Sequence, residues 1–234
     1  MRVIFCLFYL LLIPTIGQAQ IFANKTIYYW GQQLPPVQNV AVRNGSDKTL
    51  LVTVNVVEVE NPGGEDQKHV PSEDIIVTPK RFSVTGNGER TVRLLRRGEH
   101  GQRERVFRIS FVPEAREEDD IATTSVQTGN PNVVATLKVL TGIGLLVFTQ
   151  PAAGEADLEI ERREENILLK NNGNVNIALL KVQKCVSEGK QCEDVVPRRV
   201  YPGRSFEVKE TKGKVVYLRK RVGEAVSEMT IPGE

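Results

Sequence analysis

Apolar and polar residues alternate along much of this chain, and the alternation is most sustained between positions 133 and 148, VVATLKVLTGIGLLVF. Val133, Ala135, Leu137, Val139, Thr141, Ile143, Leu145 and Val147 are small or apolar, while Thr136 and Lys138 point the other way, the period-two pattern of a strand. After Leu140 the other face also turns small or apolar, at Gly142, Gly144, Leu146 and Phe148. The pattern predicts one strand with an open face at its start and both faces buried at its end. Fully extended, such a segment covers roughly 50 Å at about 3.3 Å per residue, against a radius of gyration of about 13 Å for a small domain. It would run the height of its domain and present alternate apolar side chains along an edge, which proteins usually avoid because open edges pair with other chains. The edge is therefore a candidate for function. An ordinary core strand ended by a turn at Thr149-Gln150-Pro151 fits the same residues, and the pattern leaves both readings open. A membrane span is excluded, because a spanning helix needs about 20 apolar residues and this run is shorter and holds two glycines.

Before this segment, alternating β-branched runs fall at 21–30, 37–44, 49–60, 74–84, 90–97 and 104–113, with turn residues at 44–47, 61–64 and 86–88. With the long strand they make the seven strands of an immunoglobulin-like sandwich, here without that fold's usual internal disulfide. The stretch between Pro113 and Asn132 is acidic at first and then rich in Thr, Gly and Asn, and reads as a long irregular connection. Past a hinge at 151–154, shorter runs follow at 156–162, 166–171, 175–185, 192–201, 206–210, 214–222 and 225–232. The chain is expected to be all-β, with one sandwich over 20–150 and a smaller one over 151–234.

The first residues change the picture of where the chain works. Arg2, the apolar run 3–13, Pro14 and Gly17-Gln18-Ala19 form a secretory signal peptide over 1–19, so the mature chain begins near Gln20 and inserts no segment into a membrane. Cys6 leaves with the signal. Cys185 and Cys192 remain, an even number in an oxidising compartment, and are expected to pair. No further Cys exists, and His69 and His100 sit far off in polar loops, so a zinc site has no ligand set. Lys and Arg number 31 against 29 Asp and Glu, which implies no strong field for nucleic acid. The Arg-Lys-Arg run at 219–221 reads as a solvated strand end. G-x-S-x-G, H-E-x-x-H, P-loop and dinucleotide fingerprints are all missing, so no catalytic residues, cofactor or metal are expected and the chain is not read as an enzyme. Asn24-Lys25-Thr26 and Asn44-Gly45-Ser46 match the glycosylation pattern.

Together these features resemble the periplasmic chaperones that assemble bacterial pili with an outer-membrane usher. The resemblance is nearest to the alternate class that serves fimbriae of the coli surface antigen type. Glu104-Arg-Val-Phe-Arg-Ile-Ser-Phe111 is similar to that class's E-x-x-[YF]-R-V-x-F strand, and Asn171-Asn-Gly-Asn-Val175, the two cysteines and Tyr201-Pro-x-x-Ser-Phe206 are similar to its second domain. The resemblance implies two immunoglobulin-like domains in a boomerang arrangement, a periplasmic location, and fimbrial subunits and the usher as partners. It also implies donor-strand complementation: the chaperone lends its long strand to a subunit whose sandwich lacks one. Leu137 and Val139 fall where the class places inserted side chains, with Ala135 and Thr141 on the same face. The same edge makes self-association of the free chain an expectation.

Other members of the pathway hold the subunit's C-terminal carboxylate with an Arg on the first strand and a Lys near the end of the long one. Here the first position resembles Lys25, whereas the second holds Leu146 or a neighbour, with no Lys between Val139 and Pro151. Alternation along 104–111 sends Phe107, Ile109 and Phe111 to the core and Val106, Arg108 and Ser110 outward. Arg108 is therefore expected as the carboxylate anchor, with Lys25 as a second arm. A secreted immunoglobulin-like adhesion module would blunt such an edge with charge or proline, which the odd-numbered face of 133–147 does not. A secreted hydrolase would need a convergent Ser, His and Asp cluster that two distant histidines do not supply.

Overall fold

The computed structural model describes residues 21–31, 33–98, 100–114, 124–127, 134–137, 140–187 and 189–233. The expected signal peptide and Val139 lie outside the described residues, and among those described every regular element is a β-strand. The first half contains β1 (Ile21–Ala23), β2 (Ile27–Trp30), β3 (Val37–Asn44), β4 (Leu50–Glu60), β5 (Lys68–Pro71), β6 (Ile75–Thr78), β7 (Arg81–Val84), β8 (Glu89–Arg96), β9 (Arg105–Pro113), β10 (Thr124–Gln127), β11 (Val134–Leu137) and β12 (Ile143–Thr149). One sheet runs β1-β3-β8-β6; the other runs β2-β12-β9-β4-β5, with β7 alongside β4. Alternate residues of the two sheets meet between them: Val40, Val42, Val92 and Leu94 from one, and Val52, Phe107, Ile109, Phe111, Leu145 and Val147 from the other. The Trp30 ring is buried among them, its Nε1–H donating to the Pro35 carbonyl at 2.9 Å.

Three of the expected strands divide, each for an identifiable reason. The run 21–30 breaks at Asn24, whose Oδ1 accepts the Ala41 N–H at 3.1 Å, and the chain passes from one sheet to the other. The run 74–84 breaks at Pro79, which has no N–H to continue a ladder, so β6 joins β8 and β7 joins β4. The long run 133–148 is not one strand but β11 and β12 with a break between them. In the β12–β9 register Ile143 stands opposite Phe111, so residue 141 would face Pro113, the last residue of β9, which cannot donate to it. At Gly142 the chain lies so close to β9 that a Cβ there would stand 2.6 Å from the Phe111 oxygen. β11 pairs with β10, which arises from the connection expected to be irregular.

The second half contains β13 (Leu158–Arg162), β14 (Ile167–Asn171), β15 (Ile177–Ser187), β16 (Lys190–Val195), β17 (Arg199–Val200), β18 (Ser205–Val208), β19 (Val215–Val222) and β20 (Ala225–Ile231). Sheet β13-β14-β18 packs on sheet β16-β15-β19-β20, with Ile167, Leu169, Ile177, Val182, Val208, Val216 and Leu218 buried between. Cys185 and Cys192 stand directly opposite in the β15–β16 register and are joined by a disulfide. The architecture is all-β in two sandwiches, as the alternation predicts.

Candidate functional site

β12 pairs antiparallel with β9 along its whole length, from Ile143 opposite Phe111 to Thr149 opposite Arg105. Its other side pairs in parallel with β2, but only from Leu146 opposite Ile27 to Thr149 opposite Trp30. The Leu146 N–H donates to the Thr26 oxygen at 2.8 Å. On that side Ile143–Leu145 pairs with no strand among the described residues. The sheet edge is thus closed by β2 at Leu146 and open below it.

The outward face of this sheet is ordered in cross-strand rows. Tyr29, Phe148, Val106 and Val59 form a buried row. Next come Ile27, Leu146, Arg108 and Val57, and then Gly144, Ser110 and Asn55. Arg108 is exposed, and no hydrogen bond or ion pair joins it to another described residue. It borders a groove of about 460 Å³ that runs over Ser110, Val112, Gly142, Gly144 and Leu146. A Cβ at Gly144 would meet nothing within 4 Å, so the groove is open there.

Val106 is buried although it faces away from the core, because the second domain covers that row. Tyr201 packs against it, and the chain at Gly63 approaches the Tyr201 ring so closely that a Cβ would stand 2.9 Å from it. Gly63 also has φ +74°, a conformation that side chains resist. The Arg199 guanidinium lies 4.4 Å from the centroid of the Phe148 ring, and its Nη1 donates to the Tyr29 hydroxyl at 2.9 Å and to Asn176 Oδ1. Glu104 Oε1 accepts the Asn176 N–H at 3.1 Å and Asn176 Nδ2 at 2.6 Å. Burial pushes the Glu104 carboxyl up to about 7, against the opposing pull of the Asn176 bonds and the Arg199 charge. Burial raises the Tyr201 hydroxyl as well; Arg199 and Arg108 oppose that rise while Glu104 and Tyr29 add to it. Lys25 is engaged elsewhere: its Nζ is 2.9 Å from Glu224 Oε1 in the second domain.

A model of the pili and flagellar-assembly chaperones, describing their N-terminal domain, matches residues 27–153. The chain belongs to this chaperone family. Curated relatives agree over most of its length. A CFA/I fimbrial subunit of Escherichia coli is 25% identical over 88% of this chain and 87% of its own. A probable fimbrial chaperone, EcpB, of Klebsiella pneumoniae is 21% identical over 74% of this chain and 77% of its own. Among solved structures, the class 5 fimbriae chaperone CfaA superposes with a TM-score of 0.61 at 18% identity, covering 91% of this chain and 99% of that one. The Salmonella enterica SafB chaperone, solved with the SafA pilin, gives 0.65 at 13% identity, covering 92% and 97%. The chaperone thus has the two-domain fold of these structures and is not an enzyme, since its family assists assembly and performs no catalysis.

Of the residues singled out from the sequence, Ala135 and Leu137 lie on β11, Thr141 lies exposed between β11 and β12, and Val139 is outside the described residues. Arg108 lies where alternation along β9 puts it. Lys25 is near the same end of the sheet but paired with Glu224. Sequence reasoning alone does not bring Tyr201 and Arg199 to this site. Tyr201 carries a signal in the Tyr-Pro-x-x-Ser-Phe motif; Arg199 carries none. Among the described residues no group of three or more His, Cys, Asp or Glu could hold a metal.

Proposed function

We propose that this fimbrial chaperone works in the periplasm by donor-strand complementation, holding a pilus subunit through segment 133–148 and delivering it to an outer-membrane usher. The observation that carries this reading is the edge of β12, open from Ile143 to Leu145, stopped by β2 at Leu146, with the unpartnered Arg108 in the row of that stop. A strand added there continues the sheet by main-chain hydrogen bonds, which demand no particular sequence. Leu137 and Val139 would enter the subunit's open core, with Ala135 and Thr141 beside them. Each large side chain contributes about 1.5 to 3 kcal/mol of burial, from which the entropy of association is subtracted. Because β2 blocks the edge, an incoming chain must end near the row of Arg108. A guanidinium holds a terminal carboxylate there with two parallel hydrogen bonds. Lys25 is the second basic group within that end of the sheet and becomes available on release from Glu224. Related chaperones have been solved with a pilin and with tip adhesins bound, which supports subunits as the partner class.

The test replaces Leu137 and Val139 together by Asp, which would set unpaired charges in an apolar groove at a cost of several kcal/mol, on the order of that for any buried unpaired charge. The variant should keep the parent's melting temperature and lose the subunit in a pull-down of co-expressed pilin. Undiminished capture would sink the strand-lending reading.

A further inference from the structure

We infer that the Tyr201 hydroxyl, supplied by the second domain, is the second arm of an anion site whose first arm is Arg108, so that a subunit's terminal carboxylate is gripped by both domains at once. This rests on the strand-lending reading and specifies its anchor.

Three observations carry it. First, the basic groups near this end of the sheet are not equally free. Lys25 is paired with Glu224, and Arg199 already donates to the Tyr29 hydroxyl and to Asn176 while lying over Phe148. Arg108 has no such partner among the described residues. Second, Tyr201 stands on the row next to Arg108. Its ring packs on the cluster of Tyr29, Val59, Val106 and Phe148, and Val106 and Arg108 are successive outward residues of β9, about 7 Å apart along the strand. The Tyr201 hydroxyl feels the charges of both Arg108 and Arg199, yet no described residue bonds to it. Third, the ring is held in place: Gly63 abuts it, and the Arg204 guanidinium, three residues on, donates to Asn61 Oδ1 of the first domain. The hydroxyl is thus a fixed, protonated donor beside an uncompensated cation, at the end of a groove that opens to solvent. That combination fits a carboxylate and leaves a carboxamide poorly matched, since the amide carries no charge for Arg108 and adds donors of its own.

The test is a double-mutant cycle on the full chain. The probe is the pilin domain that co-purifies with the parent, prepared with a free C-terminal carboxylate or, by protein ligation, with a C-terminal carboxamide. Tyr201→Phe keeps the ring and removes only the hydroxyl, so its melting temperature should match the parent. It should bind the carboxylate form about tenfold more weakly than the parent, the loss expected for one hydrogen bond to a charged group. Against the carboxamide form, variant and parent should bind alike. Equal binding of the carboxylate form by variant and parent, or an equal loss against both forms, would overturn the assignment of Tyr201. If amidation leaves the parent's binding unchanged while the Asp double variant at Leu137 and Val139 still loses the pilin, the anion site is wrong and strand lending stands. If the parent captures no pilin at all, or the Asp double variant captures it fully, the underlying reading fails.

Discussion

Each sandwich is pinned by one wholly buried asparagine, Asn44 at the end of β3 and Asn171 at the end of β14. The bonds match almost one for one. Oδ1 accepts the N–H two residues on, from Ser46 at 2.9 Å and from Gly173 at 3.0 Å. Nδ2 donates four residues on, to the Lys48 oxygen at 2.7 Å and the Val175 oxygen at 2.8 Å. It also reaches a distant segment, at Val84 and Thr85 in one domain and at Val200 in the other. The surroundings then diverge. The Asn44 turn is closed within its own domain, where the Asn87 N–H donates to Ser46. The Asn171 turn runs on to Asn174, whose oxygen accepts the Glu104 N–H at 2.9 Å and whose Nδ2 donates to the Gln102 oxygen at 3.0 Å, both in the first domain. A single local device, set by an Asx turn, is a knot in one place and a knot plus a joint in the other. Position in the fold, not local sequence, makes the difference. Since its amide nitrogen is fully engaged, Asn44 is also no surface acceptor despite its Asn-Gly-Ser context.

Asn44→Ala and Asn171→Ala should give the largest effects, about 3 to 5 kcal/mol each in urea unfolding, because each strands several buried carbonyls. If the two sites are equivalent as knots, the losses will be similar. Only Asn171→Ala should also loosen the joint, seen as faster amide exchange at Gln102 to Glu104. Exchange unchanged there would dissolve the distinction between them.

The joint alone should respond to pH, through Glu104. Its carboxyl titrates near 7 in the folded chain, against 4.5 ordinarily, so the folded state holds the extra proton between those values. Stability from this group is therefore complete below 4.5 and lost as pH rises to 7, by at most about 3 kcal/mol. Glu104→Gln should flatten that part of the profile of unfolding free energy against pH. A variant profile as steep as the parent's would remove Glu104 from the account. The smallest effect is expected from replacing Cys185 and Cys192 by Ser, about 2.5 kcal/mol from the loop-entropy relation for so short a ring. It should lower only the second sandwich's transition, and the unreduced parent should show no reactive thiol at these positions on labelling.

What the sequence discloses follows the same division between local and distant causes. β3 and β9 are legible to within a residue because each buries one face, so alternation is enforced; the outward position of Arg108 is legible for that reason. β5 is not, because all its residues are exposed and no pattern marks them. The breaks at Asn24, Pro79 and residues 138–142 fall where the chain leaves one sheet or runs out of partner, while the side-chain alternation passes through unchanged. Val106 reads as an outward residue, and its burial depends on Tyr201, far along the chain. Contacts between domains leave no periodic trace in either segment.

The pairing of β11 with β10 bears on stoichiometry. A strand sends half of its N–H and C=O groups to each side, and β10 already occupies one side from Val134 to Leu137. One row remains for a further strand. A complex built through this hairpin therefore stops at a single added chain, whether a pilin or another copy, because endless growth along the hydrogen-bonding direction needs two vacant rows.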